Sequence, residues 1–234
     1  LGVTPQDLIR ADTNLDEPLF EGFQAGSIPN GNNIEDIYRF DPEQRILPTG
    51  ASYVAIVYDE SAVDEPGSFE ALTDPGYEGE LLLSNPAETT TGLLFLLWTV
   101  HTLGEDSFLN YWSRAMENDV RILGSWGDAY NAYLQEEASM VVSYSTDQVF
   151  AAEEGQDMTR HRIAFPNDQG YAYVDGVGKF TTTERGELVD RFAEFMLDPE
   201  VQQETAVQNV GIPTVSNASL PEEFQQYAHV PADP

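Results

Sequence analysis

Three short segments carry side chains that could hold a ligand. The first is Asn85-Pro-Ala-Glu-Thr-Thr-Thr-Gly92, where three hydroxyls follow a strand-like run and open an apolar helix. Thr89 and Thr90, beside the free backbone N–H groups of a first helical turn, form a place for a phosphate or carboxylate oxygen. A plainer reading has one threonine capping the helix and the others idle. The second segment, Gly124-Ser-Trp-Gly-Asp-Ala-Tyr130, sets Trp126 among small residues at a strand-to-helix turn. An indole there can lie along a cleft and stack on a heteroaromatic ring or a cation, or it can fill the core. The third, Ser143-Tyr-Ser-Thr-Asp147, stands at the C-terminal end of a strand, where open α/β sheets place their ligands. Tyr144, Ser145, Thr146 and Asp147 offer a ring, two hydroxyls and a carboxylate, a set that suits a flat cation and equally suits the cap of a helix beginning near Asp147.

Catalytic constellations are harder to find. His101, His161 and His229 are the three histidines, and no metal-ligand spacing joins them. Each reads as a core or surface residue. The chain has no glycine-rich phosphate loop, nucleophile elbow or zinc motif. It also has no cysteine, which excludes disulfides, thiolate metal sites and thiol nucleophiles together. The expectation is a chain without catalytic residues, resident metal or cofactor.

Strand-like and helix-like runs alternate around these segments. Asp7–Ala11, Ser52–Tyr58, Glu80–Leu83, Val120–Leu123 and Met140–Tyr144 read as strands, an order that predicts an α/β protein with largely parallel sheets. Phe108, Tyr111, Trp112 and Ala115 share one helical face, as do Trp126, Tyr130, Tyr133 and Leu134. Leu188, Val189, Phe192, Phe195 and Met196 write a later helix that Asp198-Pro199 ends while starting another. Thr91 to Leu103 is apolar all round and predicts a helix buried on most sides.

Ala51–Asp59 and Tyr171–Gly178 are long extended segments flanked by Pro or Gly, as expected of strands that leave one lobe and enter another. Two lobes with two crossings make a hinged cleft. The expected division is 1–53 with 172–212 as the first lobe, 54–171 as the second, and 213–234 as a C-terminal segment packing back on them.

The charge bounds the partners. Forty-one Asp and Glu face ten basic residues, a formal net charge of −31. Such a field repels phosphate backbones and anionic lipid heads, which argues against nucleic acid and bare membrane. The carboxylates are spread from Asp7 to Asp233, and Lys179 is the single lysine. That pattern predicts adaptation to strong brine, where charge repulsion is screened within about 3 Å at 1 M salt. The longest apolar run, Leu93 to Trp98, is far short of the ~20 residues a membrane span needs. No signal peptide opens the chain, so it reads as mature, trimmed or an internal piece.

Asn85 to Trp98, Gly124 to Tyr144 with Ser145 and Thr146, and Ile212-Pro-Thr-Val-Ser-Asn-Ala-Ser-Leu-Pro221 resemble the periplasmic thiamine-binding proteins of ABC importers. The Trp-x-x-Ala-Tyr block followed by the Ser-Tyr-x-Thr block is the most specific part. The resemblance implies a two-lobed, type II periplasmic-binding-protein fold and an extracytoplasmic, lipid-anchored whole protein. It implies that thiamine or a thiamine phosphate is bound and delivered to an ABC permease, the membrane being met only through that permease or an anchor outside this chain. It implies ligand contacts at Thr89, Thr90, Trp126, Tyr144, Ser145, Thr146 and Asp147. By the same comparison the chain is expected to begin at the family's second strand and to stop before its last helix. Phe150 stands where the family has tyrosine, and Asp147 where it has serine. The alternatives are a binder of a small oxyanion or phosphonate on the same fold, a thiaminase-like enzyme, which the lack of cysteine disfavours, and a purely structural surface protein.

Overall fold

A computed structural model describes residues 2–231. Along the chain the elements are β1 (Gly2–Val3), α1 (Pro5–Asn14), β2 (Phe20–Glu21), β3 (Ile46–Tyr58), β4 (Leu81–Ser84), α2 (Thr90–Leu103), α3 (Phe108–Glu117), β5 (Arg121–Leu123) and α4 (Trp126–Leu134). There follow β6 (Met140–Tyr144), α5 (Asp147–Glu153), β7 (Arg162–Ala164), β8 (Tyr171–Phe180), α6 (Gly186–Met196), α7 (Pro199–Asn209) and α8 (Glu222–Tyr227). The chain divides into two compact units. The first is Leu1–Ser52 with Tyr173–Gln225, and the second is Tyr53–Ala172 with Gln226–Pro234. Strands β3 and β8 each pass from one unit into the other.

In the first unit β8 pairs antiparallel with β1, Gly2 opposite Val177, and with β2, Phe20 opposite Phe180. Gly176 is required here, because a Cβ on it would lie 2.2 Å from the Leu47 carbonyl oxygen. Phe23, Ile28, Ile34, Leu47, Val177, Leu197 and Val215 form the core, with Val189 and Met196 of α6 packed on it. The buried Gln202 amide donates to the Thr49 and Met196 carbonyls, and its oxygen accepts from the Thr214 N–H.

Asp7–Ala11, expected as a strand, is helical. Thr4 caps α1 through a reciprocal bond with Asp7, and Pro5 occupies the first turn, where its missing N–H costs nothing. Leu8 and Ala11 then fall three residues apart on the buried face.

In the second unit β4 runs parallel to both β5 and β6, while β3 runs antiparallel to β6 and β7. The sheet is therefore mixed. The expectation of largely parallel sheets holds only for β5, β4 and β6, each of which is followed by a helix that carries the chain back across the sheet. The other expected helices form where their periodicity places them. Helix α2 buries Leu94, Phe95 and Trp98, and α4 buries Ala129, Tyr130, Ala132 and Tyr133 against Val57, Leu82 and Val141.

Candidate functional site

Because β4, β5 and β6 are parallel, their C-terminal ends lie along one edge of the second unit's sheet. All three chosen segments leave the sheet at that edge. Gly92 lets the first turn of α2 settle against the end of β4, since a Cβ there would come 2.1 Å from the Ser84 carbonyl oxygen.

The threonines separate in role. Thr89 caps α2: its hydroxyl accepts from the Gly92 N–H at 3.2 Å, donates to the Asn85 carbonyl at 2.9 Å and meets Ser84 Oγ at 2.7 Å. One donor and two lone pairs are thus all used, and none remains for a ligand. Thr90 is exposed in the first turn. Thr91 is buried, and its hydroxyl bonds Tyr144 Oη at 2.7 Å, fixing the tyrosine ring at the end of β6. Burial raises the Tyr144 hydroxyl's pKa, with the Thr91 bond opposing, so it remains a neutral phenol.

Trp126 keeps 37% of its surface exposed although it begins a helix whose other aromatics are buried. Its indole Nε1 donates to Ser143 Oγ at 3.2 Å. The ring lies on Tyr130, one helical turn on, with centroids 5.0 Å apart and planes 23° from parallel, and its other neighbour is Tyr144 at 6.4 Å. One face of the platform is thereby backed by protein, leaving a half-exposed indole that is already oriented.

The end of β6 turns inward. Ser145 is wholly buried, its backbone N–H donating to the Tyr53 carbonyl, and its hydroxyl has no hydrogen-bond partner among the described residues. Thr146 is buried at the start of α5. Asp147 is also buried, and both of its oxygens are occupied, Oδ1 by Tyr130 Oη at 2.6 Å and Oδ2 by His161 Nδ1 at 2.7 Å. A carboxylate facing a ligand was expected at this position. The structure turns it toward the protein instead, because helix α4 presents the Tyr130 hydroxyl to it.

Four residues that support the site were not among the candidates: Ser143, Thr91, Tyr130 and His161. Ser143 and Thr91 adjoin residues that were chosen, and Tyr130 stands four after Trp126 on the same face. Nothing in the sequence links His161 to Asp147. Of the other histidines, His101 is exposed, and His229 bonds Gln148 Oε1 at 2.8 Å, its pKa lowered by burial and by Arg162. Among the described residues no group of three or more His, Cys, Asp or Glu is placed to hold a metal ion.

The family model for bacterial extracellular solute-binding proteins matches residues 12–231. This chain belongs to that family. It is 26% identical over 204 residues to the thiamine-binding periplasmic protein of Escherichia coli (strain K12), an alignment covering 86% of this chain and 58% of the relative. The chain therefore spans less than two thirds of that relative's length. A solved periplasmic thiamin binding protein superposes with a TM-score of 0.79 at 23% identity, covering 99% of this chain and 70% of the other. The ferric binding protein from Campylobacter jejuni superposes nearly as well, with a TM-score of 0.78 at 16% identity, covering 98% of this chain and 74% of the other. Members of this fold named for different ligands thus share the backbone, and the ligand must be argued from the side chains.

Proposed function

We propose that this solute-binding protein captures thiamine or one of its phosphates outside the cytoplasm and delivers it to an ABC importer. The observation that carries the reading is Trp126, a half-exposed indole backed by Tyr130 at 5.0 Å, on the edge of the sheet where the parallel strands end. Such a platform suits a flat, cationic heteroaromatic guest. Thr90 and the backbone N–H groups of the first turn of α2 suit the phosphate oxygens of a phosphorylated form. The names of the curated relatives point the same way. In this reading the two compact units are the two lobes of the binding protein, and the second carries the platform. Trp126, Tyr144 and Thr90 make the contacts, Ser145 and Thr146 shape the turn beneath them, and Thr89 and Asp147 hold neighbours in place. The role is capture without chemistry, and a thiaminase-like mechanism has no thiolate to use.

A ferric ion fits poorly, because the Tyr144 hydroxyl is bonded to Thr91 and, among the described residues, no group of three or more His, Cys, Asp or Glu is placed to hold a metal. Calorimetric titration of the full chain with thiamine, its mono- and diphosphate, and a phosphonate tests the proposal. Saturable binding of at least one thiamine species is expected. Binding of the phosphonate alone, or of none of the four, overturns it.

A further inference from the structure

Behind the exposed ring lies a buried polar chain that nothing in the capture reading assigns. His161 and Asp147 are 2% and 7% exposed, and they meet at 2.7 Å. A carboxylate only accepts hydrogen bonds, so Tyr130 Oη–H and His161 Nδ1–H both donate to Asp147. Tyr133, next on the buried face of α4, meets the His161 ring edge-on at 6.2 Å and 88°. Two tyrosines of one helix therefore grip this pair, and one of those tyrosines is the ring on which Trp126 lies.

Burying a carboxylate is costly, and replacing such a group with apolar packing is often neutral or stabilising. Its placement points to a use. The bond to Asp147 fixes the Tyr130 ring at its far end, while the helix backbone fixes the near end. It also places the carboxyl group of Asp147 behind a stack whose outer ring, Trp126, is partly exposed. Electron density on that face favours a cation over a neutral ring of the same shape.

We propose that Tyr130, Asp147 and His161 are positioning residues: they hold Trp126 in its binding orientation before any ligand arrives and bias the platform toward a cationic guest. The orientation half stands on the protein's own geometry, whereas the charge half rests on the thiamine reading.

The test uses Tyr130→Phe, which keeps the ring and removes the bond, together with Asp147→Asn and His161→Asn. Acrylamide quenching of Trp126 fluorescence is measured without ligand, each variant being compared with its own Trp126→Phe derivative to isolate that indole. Increased quenching in Tyr130→Phe, with an unchanged far-UV spectrum, is expected. Unchanged emission and quenching in folded Tyr130→Phe overturns the positioning role, whatever the protein binds. Titration then compares thiamine with an isostere whose thiazolium is replaced by an uncharged ring. Asp147→Asn is expected to weaken thiamine about threefold or more, and the isostere less. An equal loss for both overturns the charge bias. If the parent chain binds no thiamine species, the capture reading fails and the quenching result alone decides the positioning role.

Discussion

The second unit holds two aromatic clusters that differ in how their polar atoms are treated. In one, Phe69, Phe95, Trp98, Tyr111 and Trp112 meet edge-on, with Phe69 and Trp98 at 5.0 Å and 81°. Trp98 and Tyr111 are buried completely, and Trp98 Nε1 and Tyr111 Oη have no hydrogen-bond partner among the described residues. In the other, Trp126, Tyr130, Tyr133 and Tyr144 all have their polar tips bonded, and Trp126 remains partly exposed. The first cluster leaves polar atoms unmet for the sake of apolar packing. The second uses its hydrogen bonds to aim rings. An aromatic group held at its polar end and partly exposed is the one to which the proposed function gives the ligand, whereas the enclosed cluster packs the interior.

Substitutions should separate the two. Trp98→Ala empties the centre of the enclosed cluster and should cost about 3–5 kcal/mol in denaturant unfolding. A loss near 1 kcal/mol would mean that the cluster is not the core it resembles. Trp126→Ala should reverse the pattern, weakening thiamine by roughly tenfold through lost stacking and cation–π contact while changing stability much less than Trp98→Ala does. Equal thiamine affinity in a folded Trp126→Ala protein would remove the ligand assignment at its most specific point. Thr99→Val takes away the hydroxyl that accepts from Trp112 Nε1 at 2.9 Å, for about 1 kcal/mol of stability and no change in affinity.

Salt supplies the control. Arg10, Arg39, Arg45, Arg114, Arg121, Arg160, Arg162 and Lys179 already lie beside carboxylates, and acidic residues outnumber basic ones 41 to 10, so among the described residues most carboxylates have no basic partner. Lowering salt from 1 M to 0.1 M lengthens the screening distance from about 3 to about 10 Å. The melting temperature should fall, and the gap between Trp98→Ala and Trp126→Ala should stay the same. A salt-independent melting temperature would remove the brine reading.

Much of this contrast was legible in the sequence. Helical spacing gave Tyr130 and Tyr133 on the buried face of α4, while Trp126, expected on the same face, stays partly exposed at the turn after β5. Local signals were weaker where they competed. Leu8 and Ile9 read as a strand, whereas the Thr4–Asp7 capping pair decides for helix. Strand direction is a property of pairing, which is why the antiparallel β3–β6 ladder was not expected. The fate of Asp147 was out of reach for a similar reason. Its partners Tyr130 and His161 come from different elements, and residue type alone cannot say whether a carboxylate faces a ligand or a phenol.

The unit that carries the platform also depends on residues near the far end of the described chain. The His229 N–H donates to the Ser145 carbonyl, its imidazole bonds Gln148, and Pro231 packs so closely on Gly170 that a Cβ there would sit 2.2 Å from Pro231 Cγ. A ribosome releases Ser145 and Gln148 many residues before His229 and Pro231, and synthesis runs at roughly 5–20 residues per second. The turn after β6 must therefore wait several seconds for its last backbone partner. A stall or premature stop shortly before His229 would leave the Ser145 carbonyl at the end of β6 without the N–H that His229 provides.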